Sequence, residues 1–229
     1  MKLTFSGFEH SLDIQPGHIS VLQVESVALF TRVCQSLLGK EPSQLGEPFT
    51  VWNDEGKEIS ARNAFLPIVN LFNLPWQDRG LVSALYVQID KHMREDEEIR
   101  QKIEATHREL ESLIVNLGLR MNGNYSFGLE WEISQSLKAY SFGIDSSDAV
   151  TLFDNLIRFI EYIHDIHYKK VLIFVNLEKF LTKNELLELE KHLFFHSLPA
   201  LILMQGNEKI VFQNARYLSI DQEFLELFG

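Results

Sequence analysis

Cysteine is almost absent from this chain of 229 residues: Cys34 is the single thiol. No disulfide can close within the chain, which suits a reducing compartment. Cys34 lies inside an apolar helix pattern, where buried packing accounts for it; nothing in the neighbouring pattern supports the alternative of a catalytic thiol. Cations are scarce as well, 21 Lys and Arg against 32 Asp and Glu, for a formal net charge of −11. Such a balance excludes attachment to nucleic acid or anionic membrane through net charge alone, although it leaves room for one basic face. Long apolar runs are missing. "LPALILM" is far short of the ~20 residues a membrane span requires. The opening "MKLTFSGFEHSLDIQ" has neither an apolar h-region nor a small-residue cleavage site, so a soluble cytoplasmic protein is expected.

What is present is a folding core. Hydrophobic residues make up 45% and charged residues 23%, with 17 Phe, 6 Tyr and 3 Trp, enough apolar surface to offset the ordering entropy of the chain. "LTFSG", "SLDIQ" and "HISVLQV" predict short strands, with "QPG" as a turn. A helix follows with Val27, Phe30, Val33 and Leu37 on one face, ending near Gly39. "FTVWND" predicts another strand before the turn "DEG". From residue 61 helical periodicity takes over. "ARNAFLPIVNLFNL" and "DRGLVSALYVQIDKHM" predict helices, and "REDEEIRQKIEATHRELESLIVNLGL" a longer one. In the last, Ile99, Ile103, Thr106, Leu110, Leu113 and Leu117 recur at 4-3-4-3-4 spacing, the seam of a helix packed along another. Its partner is either a neighbour in the same chain or, for an oligomerisation arm, a second copy. "FGLEWEISQSLKAYSFGI" predicts a further helix, and the next places Val150, Phe153, Leu156, Ile157, Ile160 and Ile163 on one face. β character then returns. "KVLIFVNL" reads as a strand buried on both faces of a parallel sheet, "TKNELLELEKHLFFH" as a helix with a Thr182/Glu185 capping box, "LPALILMQG" as a second buried strand and "KIVFQNARYLSID" as one or two edge strands. The expected class is α/β: a parallel-sheet head from residues 1–60 and 145–229, with an α-helical leg inserted over 61–144.

The strand–turn–helix "GHISVLQVESVALFTRVCQSLLGK" has the frame of a nucleotide-binding unit without its chemistry. A phosphate loop needs glycine-rich backbone N–H groups and a lysine. The turn "QVES" offers Glu25 instead. The strand that would carry a Mg²⁺-holding acid ends in Asn176. ATP hydrolysis is not expected. His192 and His196 stand four residues apart with Glu188 one turn earlier. The metalloprotease pattern needs Glu directly after the first His and Leu193 is there, so ordinary surface or core histidines explain the pair. His164 and His167 end a helix, where the dipole favours them. Glu130 and Glu132 of "LEWE" are two carboxylates near a helix start, compatible either with that start or with Ca²⁺.

The order of these pieces resembles the small accessory adaptation protein of type II-A CRISPR systems, which helps acquire new spacers. "LTFSGFEHSLDIQPGHISVLQVES" is similar to the opening of that family, and "KKVLIFVNLEKFLTKNEL" to its most recognisable segment. "LEWEI" stands where relatives carry a richer acidic run. The resemblance implies an α/β head with a degenerate P-loop-NTPase-like core, an inserted helical leg, a Ca²⁺-dependent homotetrameric ring and no enzymatic activity or bound nucleotide. Double-stranded DNA would enter the ring at free ends, in company with the integrase pair and the RNA-guided effector nuclease. Carried over by position, Lys169, Lys170 and Lys183 are the expected DNA contacts, joined through their neighbourhood by Lys138 and Lys179, and Glu130 and Glu132 are the expected metal ligands. A protein scaffold that never touches DNA and a divergent NTPase are the competing readings.

Overall fold

In the computed structural model, residues 1–39, 45–128, 130–144, 151–207 and 212–228 are described. Val150 and residues 209–211, predicted on a helix face and in a strand, lie outside them. The chain divides into two compact units, Met1–Pro75 with Ser146–Gly229, and Trp76–Asp145.

The first unit is built on two sheets. Strands β1 (Lys2–Phe5), β2 (Leu12–Asp13), β4 (Phe49–Trp52) and β5 (Glu58–Ile59) form a small antiparallel sheet in the order β2-β1-β4-β5. The larger sheet joins β3 (Ile19–Val24), β6 (Phe65–Ile68), β7 (Val171–Val175), β8 (Ala200–Gln205), β9 (Arg216–Ile220) and β10 (Glu226–Phe228) in the order β10-β9-β3-β8-β7-β6. All of its pairings are parallel except β9 with β10. The run "VLIFV" is central, between β6 and β8, and four of its five residues are buried. Two-sided burial explains why it alternates with no polar residue. β9 is not an edge strand: β10, which the sequence reading missed, takes that place.

Helix α1 (Val27–Leu38) starts where the sequence predicts, because the Ser26 side chain accepts the Leu29 N–H as an N-cap should. Its buried face is Leu29, Val33, Ser36 and Leu37; Val27, expected on it, is 65% exposed. Residues 61–74 correct the sequence reading. The predicted helix is one turn, α2 (Ala61–Ala64), followed by β6. "FLPI" is short, and hydrogen bonding to β7 decides its conformation over local periodicity. Pro67 is tolerated because β6 is the sheet edge, where its missing N–H leaves no ladder bond unmade. The insert therefore starts at Trp76 rather than at residue 61.

Helix α6 (Leu152–Asp165) buries Leu156, Phe159, Ile160, Tyr162 and Ile163, and α7 (Lys183–Phe195) carries the predicted Thr182/Glu185 capping box. Buried Glu190 of α7 accepts the Gln213 and Asn214 N–H groups at 2.8 and 2.6 Å, tying the segment before β9 to the helix.

The second unit holds α3 (Arg79–Glu95), α4 (Glu97–Gly118) and α5 (Ile133–Ala139). Asp78 caps α3 and Asp96 caps α4. α5 is far shorter than the helix predicted over 127–144. Most of the 4-3-4-3-4 seam of α4 is left uncovered among the described residues. None of the helix's 22 residues is buried, and Ile99, Leu110, Leu113 and Leu117 are 50, 48, 57 and 58% exposed. The half-buried positions are Ile103 of the seam, Gly118 at the helix end, and Arg100, Glu104, His107 and Glu111; these last four form a polar face roughly a third of a turn away from the seam at 100° per residue.

Candidate functional site

Open parallel sheets hold ligands at the carboxyl ends of their strands, and here that edge is filled by the protein's own hydrogen bonds. The Glu25 N–H donates to the Ile220 carbonyl at 2.9 Å, and the Gly206 N–H to the Val24 carbonyl at 3.1 Å. The Glu25 carbonyl accepts from both the Gln205 and the Gln222 side-chain amides, at 3.2 and 3.0 Å. Gln23 donates to the Gly206 carbonyl at 2.9 Å, and Asn176, in the left-handed region at φ 48°, accepts the Gln205 N–H on its side chain at 2.9 Å. The backbone N–H groups of Glu25 and Gly206, which a phosphate would compete for, are already used. Gly206 itself has φ 106°, which a side chain would strain.

Four of the five lysines singled out from the sequence flank one strand of the first unit. Lys169 and Lys170 precede β7, and Lys179 and Lys183 follow it. The strand between them spans on the order of 15 Å at ~3.3 Å per residue. Lys138 belongs to the other unit. Lys170 is tied down: its ammonium donates to the Arg62 carbonyl at 2.7 Å and lies 5.6 Å from the centre of the Tyr168 ring. Lys169 and Lys183 are exposed. Lys183 is the first residue of α7, where a cation adds to the positive end of the helix dipole at a cost of about 0.3–1 kcal/mol, a placement that makes sense opposite an anion.

Glu130 and Glu132 are exposed, and Glu132 meets only the Ser134 hydroxyl, at 3.3 Å. No group of three or more His, Cys, Asp and Glu able to hold a metal ion occurs among the described residues. Two carboxylates fall short of the six to eight oxygens Ca²⁺ takes.

Glu132 and Lys138 do line one feature together, a cleft of about 1220 Å³ within the insert. Its wall includes Arg79, Arg100, His107 and Trp131. The His107 and Trp131 rings stack with centres 4.6 Å apart, and the indole N–H donates to the Ser136 hydroxyl at 2.8 Å. No pattern in the sequence marks this cleft, because its residues come from three helices and the segments before α3 and on either side of α5.

The histidines weighed separately in the sequence form one patch where α6 and α7 end. The His164 and His196 rings are 4.4 Å apart, His192 and His196 6.1 Å, and His164 and His167 6.2 Å. Burial, then the neighbouring His164 and His192, push the His196 pKa below the usual histidine value, against Glu161 and Asp165. Cys34 is half-buried, and burial raises its thiol to about 11, so it is a packed thiol and not a poised nucleophile.

The fold is similar to the crystal structure of Stu0660 of Streptococcus thermophilus, a match that covers 100% of this chain and 76% of that one, with a TM-score of 0.62 at 15% identity; at that identity the likeness speaks for the fold. No curated protein matches. The profile of the CRISPR-associated protein (Cas_Csn2) family matches residues 44–224, more than three quarters of the sequence. It takes in the helical insert, both central strands β7 and β8, and the lysines flanking β7. The chain belongs to the CRISPR-associated Cas_Csn2 family.

Proposed function

We propose that the protein binds double-stranded DNA at its ends as a ring-forming homotetramer, catalyses no reaction itself, and serves the acquisition of new spacers beside the integrase pair and the effector nuclease. Family membership supports the CRISPR role. The observation that carries the assembly is the α4 stripe: Leu110, Leu113 and Leu117 are about half exposed in a single chain, and a contiguous apolar stripe on a charged helix needs a covering surface. Assembly also answers the charge problem. Lysines that lie apart in one chain, Lys169 before β7 and Lys183 at the start of α7, can line a common channel once copies surround it. Phosphate contact alone suffices for encircling. Lys170 would contribute less than the sequence suggested, since its ammonium is already engaged. Calcium enters this reading only as an ion completed by oxygens beyond Glu130 and Glu132, and no step depends on it.

The test is a mobility-shift titration with linear and covalently closed circular DNA of one sequence, each with Ca²⁺ and with chelator. Retardation of the linear form alone, weakening steeply with salt as counterions are released, is expected. Lys183→Glu should weaken it and flatten the salt slope. Equal retardation of the circle would rule out threading at ends, and no retardation of either form would leave the protein-scaffold reading in its place.

A further inference from the structure

The insert is folded with its polarity reversed. Helix α4 turns Arg100, Glu104, His107 and Glu111 inward and leaves its leucines outside. An inward polar face is costly unless each group finds a partner. The Nε2 of His107 lies 2.9 Å from the Glu111 carboxylate. The Nε of Arg100 is buried without a hydrogen-bond partner, although the same guanidinium donates through a terminal nitrogen to Glu97. Arg100 lines the cleft with Trp131 and Lys138. The indole is held in place, stacked on His107 and fixed at its N–H by Ser136. Cations outnumber carboxylates five to three around the cleft, in a chain whose net charge is −11. Arg100, whose side chain is partly exposed, and Lys138 share the cleft wall, and a guanidinium with an ammonium suits a phosphate. A fixed indole gives a flat base something to stack on.

We propose that this cleft binds a nucleotide unit, with its phosphate on Arg100 and Lys138 and its base against Trp131. The unit is either a free nucleotide or the unpaired end of a DNA strand; only the second source rests on the DNA reading above. The cleft uses none of the residues of the sheet edge.

The experiment is equilibrium dialysis of the full-length protein against labelled dATP and, in parallel, a labelled 15-nucleotide thymidine strand. One or both are retained. Retention of dATP alone assigns the free nucleotide, and retention of the strand alone assigns the strand end. Arg100→Gln and Trp131→Ala should each weaken retention by about tenfold or more, the range of one stacked base. Trp131→Phe should keep most of it, and Lys57→Ala, an exposed lysine of the first unit, should change nothing, with circular dichroism confirming that each variant folds. No retention of either ligand, or retention unchanged in Arg100→Gln and Trp131→Ala, overturns the site. If linear duplex fails to bind in the mobility shift while dATP is retained here, the DNA reading falls and the nucleotide site stands.

Discussion

Replacing Leu113 and Leu117 by serine separates folding from assembly. Both residues are more than half exposed in the single chain, at 57 and 58%, so their removal takes little from its core. If a second copy covers them, each loses its remaining exposed surface. Fully burying a leucine is worth ~1.5–3 kcal/mol, so completing the burial of one half-exposed residue is worth about 1 kcal/mol. In a two-fold contact every substitution is felt twice. The double variant should therefore weaken each such contact by about 4 kcal/mol, roughly a thousandfold in its dissociation constant. Sedimentation velocity over a concentration series reads this directly: the wild type should run as a tetramer at concentrations where the variant runs as a monomer. Melting of the variant, followed at low concentration by circular dichroism, should match that of the dissociated wild type. A wild type that stays monomeric throughout, or a variant that still assembles, would refute the reasoning.

The histidine patch predicts acid sensitivity. The pKa of His196 is lowered in the folded chain, so the unfolded state binds its proton more readily. Its contribution to stability is present above the unfolded histidine value of about 6.5 and is lost as pH falls through that value toward the folded one; His196→Gln should reduce the fall in urea midpoint between pH 8 and pH 5.5. Glu190→Ala leaves the N–H groups of Gln213 and Asn214 without their carboxylate, and at ~1.5–3 kcal/mol for a hydrogen bond to a charged group the loss should exceed 2 kcal/mol in urea unfolding. An unchanged midpoint in Glu190→Ala would mean that water replaces the carboxylate there.

Where the sequence pattern reports burial from both sides, it was readable. "VLIFV" and "ALILMQ" are continuous apolar runs because they occupy β7 and β8 in the middle of the sheet. The Thr182/Glu185 cap was readable for a similar reason: Thr182 acts on an N–H group three residues away. The failures involve partners distant in sequence. "FLPI" carries no local sign that it will bond to β7, more than a hundred residues later. "ELF" at 226–228 becomes a strand only because β9 is there to receive it. The periodicity of α4 was real, but periodicity records an apolar face without recording what covers it. The candidate lysines were visible as residues, not as a surface, since no pattern says which of them another copy will approach.

Two glutamines decide the chemistry of the sheet edge. Without Gln205 and Gln222, the Glu25 carbonyl would face the end of the sheet with an unmet lone pair, a deficit a bound molecule could fill. With them it accepts two side-chain amides. The N–H of Glu25 is committed to β9 and that of Gly206 to β3. Asn176 completes the set by accepting the first free N–H beyond the β7–β8 ladder. These contacts join the carboxyl ends of β3, β7, β8 and β9. A turn of the sequence "QVES" therefore needs neither glycine nor lysine, since its task is to lock four strand ends together. Among the groups the edge does not consume, and so free to recognise an anion, are the exposed lysine at the start of α7 and Lys138 in the insert.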